Sequence, residues 1–291
     1  MPASPRSNRI LLTFSLLAAF IAVAVASASA AQAPRMALAA NAAVEGPASH
    51  ALRAAGKRNI GAPGLLFSDA RLGDFREIQS APEAITEVPD PAGSGETVLK
   101  MTVNDKDVYP ITPTENPRAQ AMGPSTIEAG DEFWLQTKFL IPQNFPSVTG
   151  WMGLVSVYGA PFNGSSPWNI SIADDEFRFQ RNEDYNVDIP WRAPLVEGKW
   201  MTILTHERFA EDGFVEMWVN GQQIKFFPPG NRNPEHHAET TRLEMATMDH
   251  SNDGGPNGPR IEQYREAGMF ESASVYFGAL KLGETRASVE G

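Results

Sequence analysis

GKWMTILTHERFAEDGFVEMWVNGQQI, running from Gly198 to Ile224, holds the clearest two-residue alternation in the 291-residue chain. From Phe214 to Val219, the positions Val215, Met217 and Val219 are aliphatic, while Phe214, Glu216 and Trp218 mix aromatics with a carboxylate. Period two with one uniformly apolar side is the pattern of a strand that turns one face to a core. Asn220-Gly221 supplies the two positive φ angles of a tight type I′ turn, so the chain is expected to reverse there into Gln222 to Phe227. Upstream, Trp200 to His206 repeats the alternation, with Met201, Ile203 and Thr205 on one side and Thr202, Leu204 and His206 on the other. With both odd faces inward, the outer face carries His206, Glu216 and Trp218. Such a face fits a sugar-binding surface, and it fits equally an ordinary solvated sheet.

Other segments alternate in the same way. Thr97, Leu99, Met101 and Val103 share a face, as do Phe133, Leu135, Thr137, Phe139 and Ile141, which leaves Trp134, Gln136 and Lys138 opposite. Val155 and Val157 point inward with Ser156 and Tyr158 outward, and Phe177 and Phe179 alternate with Arg178 and Gln180. A last strand is expected over about Ser274 to Leu282. Pro, Gly, Asn and Asp clusters such as IPQNFPSVTG, GAPFNGSSP and RNEDYNVDIPW separate these runs. Many short strands punctuated in this way predict an all-β jelly-roll sandwich of the concanavalin A-like kind, with few helices.

The N-terminus reads differently. Arg6 and Arg9 precede a predominantly apolar run from Ile10 to Val25 and the small-residue string ASASAAQA ending at Ala33, the pattern of a secretory signal peptide. The expected organisation is a signal peptide over 1–31, an Ala-rich leader without hydrophobic period over 32–60, and a single jelly-roll domain over 61–286. No second apolar stretch follows, so a secreted, monomeric protein without a membrane segment is expected. The absence of cysteine removes disulfides, thiolate metal sites and cysteine nucleophiles together. A net charge of −11, from 24 basic and 35 acidic residues, and the lack of a basic tract argue against nucleic acid as a partner.

Missing motifs narrow the chemistry further. No glutamate is followed two residues later by aspartate, which disfavours a two-carboxylate glycosidase. G-x-S-x-G, H-E-x-x-H, the P-loop and G-x-G-x-x-G are absent as well. What remains is a set of Arg, Gln, Tyr and His residues suited to uronate chemistry. Breaking a 4-linked uronic acid by β-elimination needs a group that neutralises the C5 carboxylate, a base for the adjacent C–H and an acid for the leaving oxygen. Arg118 and Gln120, two apart in NPRAQA, share a strand face; Tyr158 follows the strand that holds Ser156; Tyr264 and Arg265 lie in IEQYREAGMF. Each has an ordinary alternative: Arg118 as a surface ion-pair partner, Tyr158 as a rim residue, Tyr264 as a core tyrosine. Metal-capable groups occur at His236-His237 and in the DHSND stretch, Asp249 to Asp253, without ligand spacing; a structural calcium is the ion that the DHSND stretch would suit, and no cofactor is expected to be required. Asn163 and Asn169 begin glycosylation sequons.

GDEFWLQTKFLIPQNFP, VYGAPFNGSSP, GKWMTILTHERF, DGFVEMWVNGQQI and QYREAGMF follow one another in an order that resembles the heparin lyase I-like secreted polysaccharide lyases, over about residues 65 to 285. The resemblance implies a jelly roll with a polysaccharide groove and eliminative cleavage of an anionic, uronate-containing chain. It also resembles, more distantly, the jelly-roll alginate and glucuronan lyases. The alginate lyase motif R-[ST]-E-[LV]-R looks like Arg118 to Met122, where the Glu and the second Arg are lost; Q-[IV]-H looks like Ser156-Val157-Tyr158; Y-F-K-A-G-x-Y-N-Q looks like Tyr264 to Ser272, where the second tyrosine becomes Phe270. His206 resembles a histidine that the family often carries on that strand. The expected catalytic set is therefore Arg118, Gln120, Tyr158, His206, Tyr264 and Arg265, and the expected substrate contacts are Trp218, Glu216, Gln136, Lys138 and Arg178. The rival reading is a non-catalytic carbohydrate-binding sandwich of the same fold.

Overall fold

A computed structural model describes residues 63–107, 109, 116–159, 166–183, 186–227, 239–248 and 256–291. The segments expected as signal peptide and leader, the His236-His237 pair, Asn163 and the stretch Asp249 to Asp253 lie outside the described residues. Among those described, the strands form two antiparallel sheets. The ten-stranded sheet contains β1 (Leu65–Asp69), β3 (Ile85–Pro89), β4 (Thr97–Asn104), β6 (Glu132–Leu140), β11 (Trp200–Arg208), β12 (Phe214–Val219), β13 (Gln222–Gln223), β14 (Arg242–Glu244), β16 (Ser272–Phe277) and β17 (Leu280–Gly283). The seven-stranded sheet contains β2 (Glu77–Ser80), β5 (Arg118–Met122), β7 (Trp151–Gly159), β8 (Trp168–Ala173), β9 (Glu176–Glu183), β10 (Asn186–Pro194) and β15 (Asn257–Arg265), in the order β10-β9-β8-β7-β15-β5-β2. One short helix, α1 (Arg286–Glu290), follows β17. The fold is the all-β jelly-roll sandwich expected.

Alternation explains how the sheets meet. Phe133, Leu135 and Phe139 of β6, Ile203 of β11 and Val215 and Met217 of β12 are buried in one core with Val155 and Val157 of β7, Ile170 and Ile172 of β8 and Phe177 and Phe179 of β9. Phe139 meets Phe177 across the sheets, with ring centroids 5.5 Å apart. Each such side chain contributes about 1.5–3 kcal/mol of burial, and a one-residue slip would turn a whole set to solvent. The β12–β13 turn has the expected form, with Asn220 at φ 51° and Gly221 at φ 80°. Beyond it β13 is only two residues long, and the chain next pairs through a single bridge from Phe226 to Thr240.

Two expectations need correcting. The last strand is two strands, broken at Gly278, whose N–H donates to the Lys138 carbonyl at 2.8 Å. A Cβ at Gly278 would lie 2.5 Å from the Lys138 side chain, so glycine lets that side chain cross the break. Secondly, the outer face of the ten-stranded sheet is covered in part. The Thr285–Ser288 capping box starts α1, and its Val289 packs on Leu204 and Trp218. The Arg286 guanidinium sits 5.0 Å from the Trp218 ring, leaving Trp218 9% exposed.

Glu207 is also inward, on the same side of β11 as Ile203 and Thr205, and only 1% exposed. Its carboxylate accepts from Trp168 Nε1 of the facing sheet at 2.8 Å and from Thr205 Oγ1 at 2.6 Å. Burial raises its pKa from 4.5 to about 7, against the two hydrogen bonds that lower it. Between these two values the folded chain holds a proton that the unfolded chain has released, so Glu207 makes stability fall as pH rises from 4.5 to about 7. We expect Glu207→Gln to remove that slope and to gain up to about 3 kcal/mol relative to wild type above neutrality. Denaturant unfolding of both proteins at a series of pH values checks this; parallel stability curves would contradict it.

Candidate active site

β15 pairs with β5 on one side and β7 on the other, and the register builds the site. Tyr264 is opposite Arg118, Glu262 opposite Gln120 and Arg260 opposite Met122. Across the other edge Arg260 is opposite Ser156 and Gly258 opposite Tyr158. Ala119, Ala121, Ile261, Val155 and Val157, one step away on each strand, are buried in the core, so the polar set occupies the outer face of the seven-stranded sheet. The face continues through Asn169 and Ser171 of β8 to Gln180 and Arg178 of β9, which pair in register.

Four of the expected catalytic residues, Arg118, Gln120, Tyr158 and Tyr264, are brought together here. The Arg118 guanidinium lies over the Tyr264 ring at 4.3 Å, and that of Arg260 over the Tyr158 ring at 4.4 Å. Tyr264 is further fixed edge-on against Trp151, with centroids 4.9 Å apart. Burial pulls the Arg118 pKa down from its ordinary value, while Tyr264 and Glu262 act in the opposite sense and Arg260 adds to the lowering. Between the two Arg–Tyr stacks runs a hydrogen-bonded network. Gln120 Nε2 donates to Glu262 Oε2. Arg260 donates to Glu262 Oε1 at 3.0 Å and to Ser156 Oγ at 3.0 Å, and Ser156 Oγ donates to Glu262 Oε1 at 3.3 Å. A partly desolvated arginine can pair with a carboxylate, and the phenols on the same face can exchange protons with a bound chain.

Arg260 and Glu262 were not singled out from the sequence. The signal was present as the alternation Arg260-Ile261-Glu262-Gln263-Tyr264, but the run of turn-forming residues just before it masks the start of β15 at Asn257. The carboxylate absent at position 120 thus stands on the neighbouring strand, bonded to Gln120.

The other expected residues fall elsewhere. Arg265, one step beyond Tyr264, points to the opposite side of β15 and its side chain is 0% exposed. Its guanidinium bonds Asp105 at 3.1 Å and the carbonyls of Glu266 and Phe270 at 3.3 and 2.9 Å, and it lies over the Phe270 ring at 4.2 Å. It holds the turn after β15. Phe270 packs edge-on against Phe145, partly buried against the core. His206, Glu216, Trp218, Gln136 and Lys138 are on the outer face of the other sheet. His206 stacks on Trp134 at 4.3 Å, with Nδ1 2.7 Å from Glu216 and Nε2 3.6 Å from Glu132. Arg242 joins Glu216 at 3.3 Å. Lys138 pairs with Glu96 at 2.6 Å against the Trp200 ring. Arg178 is on the face that holds Arg118, four strands away or about 19 Å at ordinary strand spacing, and is paired with Asp174 at 2.7 Å. Among the described residues no group of three His, Cys, Asp or Glu is placed to hold a metal ion, and no helix is long and apolar enough to cross a membrane.

Several solved structures share this architecture. The endo-β-1,4-glucuronan lyase of the fungus Trichoderma reesei superposes with a TM-score of 0.56 at 16% identity, covering 77% of this chain and 97% of its own. The GH131 β-glucanase catalytic domain of Podospora anserina gives 0.50 at 15% identity over 77% and 95%. Alginate lyase A1-II′ of polysaccharide lyase family 7 gives 0.50 at 10% identity over 70% and 85%. At these identities the likeness establishes the fold. Among curated protein sequences no relative matches the chain. Residues 69–243, more than half of the chain, match the family profile described as Polysaccharide lyase, and the chain belongs to that family.

Proposed function

We propose that the protein is a secreted, heparin lyase I-like polysaccharide lyase that cleaves a uronic-acid-containing polysaccharide by β-elimination. The observation that carries this reading is the pair of Arg–Tyr stacks on the outer face of the seven-stranded sheet. Arg118 pairs with the C5 carboxylate of the uronate, withdrawing charge and making the adjacent C–H more acidic. Tyr264 or Tyr158, acting as the phenolate, takes the C5 proton and becomes a phenol. The electrons left at C5 form the C4–C5 double bond as the C4–O bond breaks, and the other phenol returns a proton to the leaving oxygen. No water is consumed, and one product carries a 4,5-unsaturated uronate. Both tyrosines are half-buried, open enough to meet a polymer. With position 270 filled by a phenylalanine, they are the tyrosines that the described residues of β5, β7 and β15 place on this face. His206 has no part in the proposed step, since it sits on the other sheet. Arg178 is retained as a distal contact for the anionic chain.

Glucuronan and alginate, named for two similarly folded enzymes, take first place as test substrates, followed by heparin and pectate. We expect the purified protein to generate ultraviolet-absorbing unsaturated uronate from at least one of them. Tyr264→Phe and Tyr158→Phe are each expected to lower kcat on the order of 10²–10⁴-fold while leaving the fold intact. Retention of the protein on an immobilised polymer without any unsaturated product would favour the carbohydrate-binding alternative. Full activity in both tyrosine variants would remove them from the mechanism.

A further inference from the structure

We propose that Glu262 is a positioning residue, which holds Gln120 and Arg260 in the geometry that the elimination uses; the role rests on the lyase reading of this face. Glu262 is 1% exposed and so presents no surface to a polymer. Its influence runs through its partners. Oε2 accepts from Gln120 on β5, and Oε1 accepts from Arg260 on its own strand and from Ser156 on β7. Arg260 extends the network through a donor to Ser166 Oγ at 3.2 Å. One carboxylate therefore fixes side chains from three adjacent strands.

Two chemical consequences follow. The first concerns Gln120, whose amide has two N–H donors and one acceptor oxygen. With one donor committed to Glu262 its orientation is set, and Oε1 is buried with no hydrogen-bond partner among the described residues. That orientation is dictated by the carboxylate at 262, and Arg118 is left to recognise the uronate carboxylate. The second concerns charge. Glu262 compensates Arg260 directly and also acts on Arg118, favouring its charged form. A neutral residue at 262 would leave two nearby guanidinium groups repelling each other over the tyrosines.

The backbone makes room for this carboxylate. The register of β15 against β7 shifts between Ile261 and Tyr264, which places Glu262 at an irregularity facing Gly153. A Cβ at Gly153 would come within 2.9 Å of Glu262 Oε1 and 3.2 Å of its Cδ. Any larger residue there pushes Glu262 away from its partners.

The test compares kcat and KM of the full chain, on the polymer that wild type cleaves, for Glu262→Gln and for the exchange Gln120→Glu with Glu262→Gln. Glutamine at 262 keeps the shape but removes the charge and turns an amide donor toward existing donors. The exchange restores one carboxylate and one amide in contact, with the carboxylate now on β5. We expect Glu262→Gln to lose about a hundredfold in kcat with KM changed by less than about threefold. The exchange should recover at least about tenfold of that loss. Should the single variant fail to fold, Gly153→Ala, which displaces Glu262 without altering charge, is expected to show the same kcat-selective loss. Wild-type kcat in Glu262→Gln, or a loss that the exchange does not recover, overturns the role. A wild-type protein that cleaves no uronate polymer overturns the lyase reading and this role with it.

Discussion

The structure depends on the pleat of its strands, which sends successive side chains to opposite faces. In β5, β7 and β15 this rule separates two chemistries one residue apart. Ala119, Ala121, Val155, Val157 and Ile261 fill the core, while Arg118, Gln120, Ser156, Arg260, Glu262 and Tyr264 share the outer face. The apolar side secures the register, and the register in turn fixes which polar groups meet. A slip of one residue between β5 and β15 would separate Arg118 from Tyr264 and Gln120 from Glu262 at the same time. Core packing and the site are thus two results of one constraint.

Charges placed on or under these sheets are held by partners rather than left to solvent. Glu262 is shared by Gln120, Ser156 and Arg260. Arg265 is satisfied by Asp105 and two carbonyls, and Glu207 by Trp168 and Thr205. These groups serve different ends, because an unpaired charge would be costly in each place. Glu207 and Arg265 link strands and turns within the sandwich. Glu262 belongs to the outer face, where its partners lie beside the tyrosines. Burial alone does not separate the two uses; the chemistry of the neighbouring side chains does.

Much of the fold was legible in the sequence, since alternation in β6, β7, β9, β11 and β12 states directly which side chains face the core. The type I′ turn at Asn220-Gly221 was equally direct, because few residue pairs accept two positive φ angles. Less legible was which sheet each strand joins. His206 and Tyr158 are both outward by parity, yet they lie on different sheets, and periodicity within a strand carries no information about that. Trp218 is outward too, but α1 folds over it through contacts between residues far apart in the chain. Arg265 and Tyr264 are neighbours in the sequence, and adjacency in a strand places them on opposite faces. The Arg260–Glu262 network is hidden in the sequence because glycine and proline at Gly258 and Pro259 suggest a turn where β15 has already begun.

In the proposed reaction the polysaccharide is cut on the outer face of the seven-stranded sheet and not on that of the ten-stranded sheet. The most direct measurement places Arg118→Ala beside His206→Ala and follows unsaturated uronate release from the same polymer. Arg118→Ala is expected to lose on the order of a hundredfold or more in kcat/KM, while His206→Ala stays close to wild type. The reverse pattern, with activity lost at His206 and kept at Arg118, would contradict this placement and move the reaction to the other sheet.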